Sequence, residues 1–192
     1  MTKAIIEHFQ ESIRVKQGFL RDNLEILTQA IDVLVKAFQR GNKLLLFGNG
    51  GSAADAQHIA AEFVNRFMIE RPPLPAIAFT TDTSILTSIA NDYSYNEVFA
   101  KQVQALGKKG DVAIALSTSG NSSNVIAAIE ACKKLDITTI GLTGGTGGQM
   151  VGKVDFLLNV SEGRNSARIQ ETHILVAHVI CDLVDQRLFP SK

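Results

Sequence analysis

The sequence predicts an α/β fold: a five-stranded parallel sheet with helices on both faces and two extra N-terminal helices. Three observations carry this. Short apolar runs alternate with helical patterns from Leu44 onward, the order of a parallel sheet wound by right-handed crossovers. The runs are apolar on both faces, as strands covered from both sides must be. The first, third and fourth runs end in Gly, Ser, Thr or Asn, and ligands of such sheets bind beyond the carboxyl ends of the strands.

The elements follow in order. Ile5, Ile6, Phe9, Ile13 and Phe19 form one helical stripe. Leu24, Leu27, Ile31, Leu34, Val35 and Phe38 form another, which Gly41 ends. No strand precedes this pair, so residues 1–41 are an addition to the α/β core. Their apolar stripe is expected either on a neighbouring subunit or on the protein's own sheet. Leu44 to Phe47 reads as the first strand. It closes in Gly48-Asn49-Gly50-Gly51-Ser52, with Ser52 expected as the N-cap of the next helix. Arg71-Pro72-Pro73-Leu74-Pro75 is a stiff linker. Ala76 to Phe79 is the second strand. A short helix over Ile85, Leu86 and Ile89 is broken by Asn91-Asp92-Tyr93, and Tyr95 to Leu106 forms another. Val112 to Leu116 is the third strand, followed by Ser117-Thr118-Ser119-Gly120-Asn121-Ser122 and a helix to Lys134. Ile137 to Leu142 is the fourth strand, ending in Thr143-Gly144-Gly145-Thr146-Gly147-Gly148. Val154 to Val160 is the fifth, and a helix from about Ser166 to Leu188 closes the chain.

Composition narrows the class. The chain has 192 residues, 45% of them apolar, enough for one well-packed domain. Lys plus Arg equals Asp plus Glu at 19 each, which argues against broad electrostatic binding to nucleic acid. There is no N-terminal signal pattern and no apolar run long enough to span a membrane. Cys132 and Cys181 sit inside helical patterns with no motif around them. They read as core residues of a reduced cytoplasmic protein.

Two groups of residues carry chemistry. Ser117, Thr118, Ser119 and Ser122 place hydroxyls between a strand end and a helix start. Hydroxyls together with free helix N–H groups suit a phosphate monoester. No Gly-Lys-Ser/Thr signature is present, so the expected ligand is a small phosphorylated metabolite rather than a nucleoside triphosphate. Gly48, Gly50 and Ala53 mimic a dinucleotide fingerprint, but Asp82 lies too far on to serve as its acidic residue.

The second group is imidazole and carboxylate. His58 and Glu62 are spaced to share a helix face. Gln170, His173 and His178 lie on the last helix. Imidazole, carboxylate and amide oxygen together suit zinc or a similar divalent ion. On one helix Gln170 and His178 are about 12 Å apart along the axis. A single ion can bind both only if they lean together, or if they come from different subunits. His173 points elsewhere, toward an interface.

The combination GNGGSAADAQHIAAE, ERPPLPAIA, IAND, LSTSGNS, LTGGTGG and SARIQETHILVAH resembles the phosphoheptose isomerases of the sugar-isomerase (SIS) family over essentially the whole length. The resemblance implies a single SIS domain over 1–192 with the three-layer, flavodoxin-like SIS fold. It implies interconversion of sedoheptulose 7-phosphate and D-glycero-D-manno-heptose 7-phosphate, the first step toward the activated heptose of lipopolysaccharide. It places one zinc ion per subunit on His58, Glu62, Gln170 and His178, and acid–base roles on Glu62 and His178. Substrate contacts fall on Asn49, Gly50, Gly51, Asn91, Asp92, Ser117, Thr118, Ser119 and Ser122, with Ser52, Glu62 and Gln170 beside them. It also implies a homotetramer with sites at subunit junctions, into which residues 1–41 pack. Segments such as NRF, TTD, NSARIQE and CDLVDQRLFP are similar to a bacterial protein that associates with the DnaA replication initiator. That relative lacks residues matching Glu62 and His178. The alternatives are therefore a non-enzymatic initiator-binding protein or a sugar-phosphate-binding regulator.

Overall fold

The structure, a computed structural model, describes residues 1–190. Its elements are α1 (Thr2–Gln39), β1 (Leu44–Gly48), α2 (Gly51–Val64), β2 (Ala76–Ala78), α3 (Thr83–Asp92), α4 (Ala100–Leu106), β3 (Val112–Leu116), α5 (Ser123–Lys134), β4 (Thr138–Gly144), β5 (Phe156–Val160) and α6 (Ser166–Leu188). The five strands are all parallel, in the order β2-β1-β3-β4-β5.

Alternation along each strand divides the core in two. Leu44 and Leu46, with Ile114, Leu142 and Val160, meet α1, α2 and α6 on one face. Leu45, Phe47, Ala113 and Ala115 meet α4 and α5 on the other, where Phe47 stacks on Phe79 and Phe99. Cys132 and Cys181 fall in these two separate cores, on opposite sides of the sheet, so they cannot pair. Burial pushes both thiols up to about 12. Among the described residues, no helix is long and apolar enough to cross a membrane.

The N-terminal region corrects the two-helix expectation: α1 is one uninterrupted helix. No proline and no cap separates its two stripes, and Gly18 in the middle allows close approach rather than a break. A Cβ on Gly18 would stand 2.6 Å from the Glu162 carboxylate. Its 38 residues span about 57 Å, far more than a five-residue strand can cover. Val15 to Phe38 therefore bury their stripe on the protein's own sheet and α6, while Ile5, Ile6, Phe9 and Ile13 overhang it, exposed.

Smaller differences have local causes. Asn91 and Asp92 form the last turn of α3 rather than breaking it; Tyr93 ends it. The segment expected to be helical from Tyr95 splits into a single 3-10 turn, Tyr95–Glu97, and α4. Strand β5 starts at Phe156, and Asp155 just before it is pinned to β4, its carboxylate accepting from the N–H and hydroxyl of Thr139. Asp82 caps α3 through the Ile85 N–H at 2.9 Å, which accounts for that carboxylate without any nucleotide.

Candidate active site

The chain reverses its build direction between β1 and β3, and in open parallel sheets a ligand cleft forms at such a junction. Both strands end there in polar loops. After β1, Gly50 turns with φ +56°, a conformation open to glycine, and α2 begins at Gly51. The expected cap at Ser52 is not made: Ser52 is the second helical residue and is buried. The turn at Gly50 already sets the helix start, and Ser52 is tucked against Gly48, where a Cβ would lie 2.9 Å from that of Ser52. The first bond of the helix is from the Ala53 N–H to the Gly50 carbonyl. The N–H groups of Gly51 and Ser52 precede it, as an anion site requires.

Asn49 ties the first loop to the start of α5, the helix that the second loop opens. Its side-chain amide donates to Asn124 Oδ1 at 2.8 Å and its Oδ1 accepts from Asn124 at 2.9 Å. The Tyr95 hydroxyl reaches the same Oδ1 at 3.4 Å. Neither Asn124 nor Tyr95 stood out in the sequence. The available signal was a buried asparagine on the otherwise apolar inner face of α5.

The serine loop is compact. Ser117 and Ser122 hydroxyls lie 2.9 Å apart, and Ser119 Oγ accepts from the Asn121 N–H at 3.2 Å. Thr118 Oγ1 faces the hydroxyl of Ser166, at the start of α6, at 3.5 Å. Gly120 adopts φ +66° with no room to spare, because a Cβ there would stand 2.0 Å from the Gly147 carbonyl oxygen. The loop after β4 is thus a buttress for the serine loop rather than a slack turn. Asn121 Oδ1 also accepts from the Gln149 N–H at 3.1 Å.

Helices α2 and α6 start at the same rim and run the same way. They bring His58, Glu62 and His178 together, with one ligand atom of each within 4.8 Å of the others. His58 Nε2 is 2.9 Å from Glu62 Oε1. The His178 ring meets His58 edge-on at 5.2 Å and stacks on Phe67 at 5.4 Å. Two imidazoles and a carboxylate with an open side are a donor set that fits a catalytic divalent ion. Asp55, one turn before His58, has its carboxyl pushed up by burial, against a downward pull from His58, and its Oδ2 has no partner among the described residues.

Other expected residues lie apart from this cluster. The Gln170 carboxamide sits against Gly51, its Nε2 2.5 Å from where a Cβ would be. That is about 10 Å along α2 from His58. Asn91 donates to Asp92 at 2.8 Å on the exposed end of α3. His173 is corrected outright. It faces no interface but is fully buried in its own subunit, its Nε2 3.0 Å from the Thr143 carbonyl oxygen.

The SIS domain profile matches residues 7–144. A phosphoheptose isomerase of Aneurinibacillus thermoaerophilus is 51% identical, covering 100% of this chain and 98% of that protein. One from Roseiflexus sp. is 54% identical, covering 98% and 95%. Among solved structures, a phosphoheptose isomerase from Neisseria gonorrhoeae superposes with TM-score 0.90 at 47% identity, over 96% of this chain and 98% of that one. One from Francisella tularensis gives 0.92 at 39% identity, over the same shares.

Proposed function

The chain belongs to the phosphoheptose isomerases of the SIS-domain family, and we propose that it interconverts sedoheptulose 7-phosphate and D-glycero-D-manno-heptose 7-phosphate in the cytoplasm. The observation that carries this reading is the His58–Glu62–His178 cluster on the two helices that open at a hydroxyl-lined rim.

The reaction moves a weakly acidic proton between C1 and C2 through a cis-enediol. Glu62 is the base for that transfer, and His178 exchanges protons at the sugar oxygens. Ser117, Thr118, Ser119 and Ser122 hold the phosphate with the N-terminus of α5, and that remote grip orients the reacting carbons. Asn49, Gly50, Gly51 and Ser52 line the rim beside it, and Asn91 and Asp92 bind sugar hydroxyls. His58, Glu62 and His178 would hold zinc, which polarises the sugar carbonyl and hydroxyl oxygens when bound. Gln170 is the fourth ligand and a substrate contact in this reading. Ligation requires its carboxamide to leave Gly51 or to come from a second subunit.

Glu62 lies about 16 Å along α2 from Gly51, so the rim and the cluster of one chain are well separated. That separation supports sites assembled at junctions of a homotetramer. Exposed Ile5, Ile6, Phe9, Ile13, Leu20 and Leu24, each more than half accessible, supply apolar area for a second copy to cover.

The test is turnover of sedoheptulose 7-phosphate by purified protein, before and after chelation, with zinc added back. Metal-restored turnover is expected. Glu62→Gln should lose turnover while still binding substrate, and an active variant would remove Glu62 from the base role. Absence of turnover in folded, zinc-loaded protein would favour a regulator or initiator-binding role, which a pull-down with the initiator would resolve.

A further inference from the structure

The polar linker residue Arg71 is buried, and the mechanism above makes no use of it. Its side chain is 1% exposed and that of its partner, Asp185, 2%. The guanidinium donates through Nε to Asp185 Oδ1 at 2.8 Å, through Nη2 to the Glu62 carbonyl oxygen at 2.9 Å, and through Nη1 to the Phe63 carbonyl oxygen at 2.8 Å. Weaker Nη1 contacts reach the carbonyls of Pro72 at 3.1 Å and Asn65 at 3.3 Å.

These bonds have a direction. Carbonyls at the end of a helix lack intrahelical donors and carry partial negative charge, so a guanidinium there caps α2. One of the capped carbonyls belongs to Glu62 itself. Asp185 lies two turns beyond His178 on the same side of α6. One side chain thus grips α2 at its base and α6 just below its histidine. Pro72, Pro73 and Pro75 stiffen the backbone from which it reaches. A buried ion pair is a weak device for raw stability, because desolvation offsets most of its attraction. Directed bonds from a rigid fork are a strong device for geometry.

We infer that Arg71 and Asp185 are positioning residues: their clamp sets the axial placement of Glu62 against His178 and so assembles the proton-transfer and metal-ligating cluster. This rests on the isomerase reading above. A clamp that only stabilised the fold would lower the melting temperature without a selective effect on the cluster.

The test uses Arg71→Lys and Asp185→Asn in the full-length protein, with Lys43→Met as a control. Lys43 pairs with the buried Asp111 at 2.6 Å, also at the amino end of the sheet, but this pair joins the starts of β1 and β3 and makes no hydrogen bond to α2 or α6 among the described residues. Zinc affinity is measured by competition with a chromophoric chelator, alongside kcat and KM for the sugar phosphate and thermal melts. The clamp variants should lose about tenfold or more in zinc affinity, the scale of lost ligand support. They should lose kcat similarly while KM, set by the distant serine loop, holds. Lys43→Met should lose melting temperature and keep both. If Arg71→Lys fails to fold, Asp185→Asn decides, since it keeps the shape of the side chain. Folded clamp variants with wild-type zinc affinity and kcat would overturn the inference. So would a control that loses as much zinc affinity per degree of melting. A wild type with neither zinc binding nor turnover would overturn the functional reading itself, and the inference with it.

Discussion

Mild acid should destabilise this protein through His173. The ring is fully buried, Nε2–H donates to the Thr143 carbonyl oxygen, and Nδ1 is buried with no partner among the described residues. Protonating Nδ1 would place an unpaired charge in the core, so burial lowers the pKa from 6.5 to about 4. An unfolded chain takes up that proton near pH 6.5; the folded one does not until about pH 4. His173 therefore leaves stability intact above pH 6.5 and removes it progressively as pH falls through that window, with no further loss below. Each pH unit is worth about 1.4 kcal/mol per proton, so the full difference is about 3 kcal/mol. For a chain of this length that corresponds to roughly 6–12 °C in Tm. The assay is urea unfolding of the wild type and His173→Gln at pH 7, 6, 5 and 4.5 and at fixed protein concentration. Glutamine keeps a donor near Nε2 and removes the titrating nitrogen. The wild type should lose stability more steeply than the variant across the window. Parallel pH profiles would refute the argument.

Three further outcomes are expected. Gly120→Ala should cost roughly 2–4 kcal/mol, combining left-handed backbone strain with a clash against the Gly147 carbonyl; thermal melts and KM for the sugar phosphate check it, and an unchanged Tm would refute the buttress. Asn124→Ala should strand the Asn49 amide, costing about 1–3 kcal/mol and raising KM, since the first rim loop loses its tie to the start of α5. Phe9→Asp with Ile5→Asp should yield a smaller species by light scattering with little change in secondary structure, because both side chains are exposed in the single subunit; an unchanged mass would place the interface elsewhere.

Much of the architecture was legible from pattern alone. Apolar runs at Leu44, Val112 and the fourth strand read as buried strands, and the glycine- and serine-rich segments after them marked the rim where strands turn into helices. The helix from Ser166 to Leu188 was bounded by its own polar start and its closing Phe-Pro. The spacing of His58 and Glu62 fixed a shared helix face, because four residues make about one turn. These features are local: a few neighbouring residues decide them.

The rest needed the third dimension. Whether Ile5 and Leu24 belong to one helix or two depends on what α1 rests on, since no residue between them forces a break. His173, Gln170 and His178 look alike along α6; only packing sends the first into the core, the second to Gly51 and the third to His58. Arg71 reads as a linker charge until Asp185, over a hundred residues later, is brought beside it. Sequence determined the sheet, its rim and the residue types available for chemistry, because periodicity and turn propensity act over a few residues. The tertiary structure decided which of those residues meet, because contacts between α2 and α6 are set by how both helices dock on the sheet.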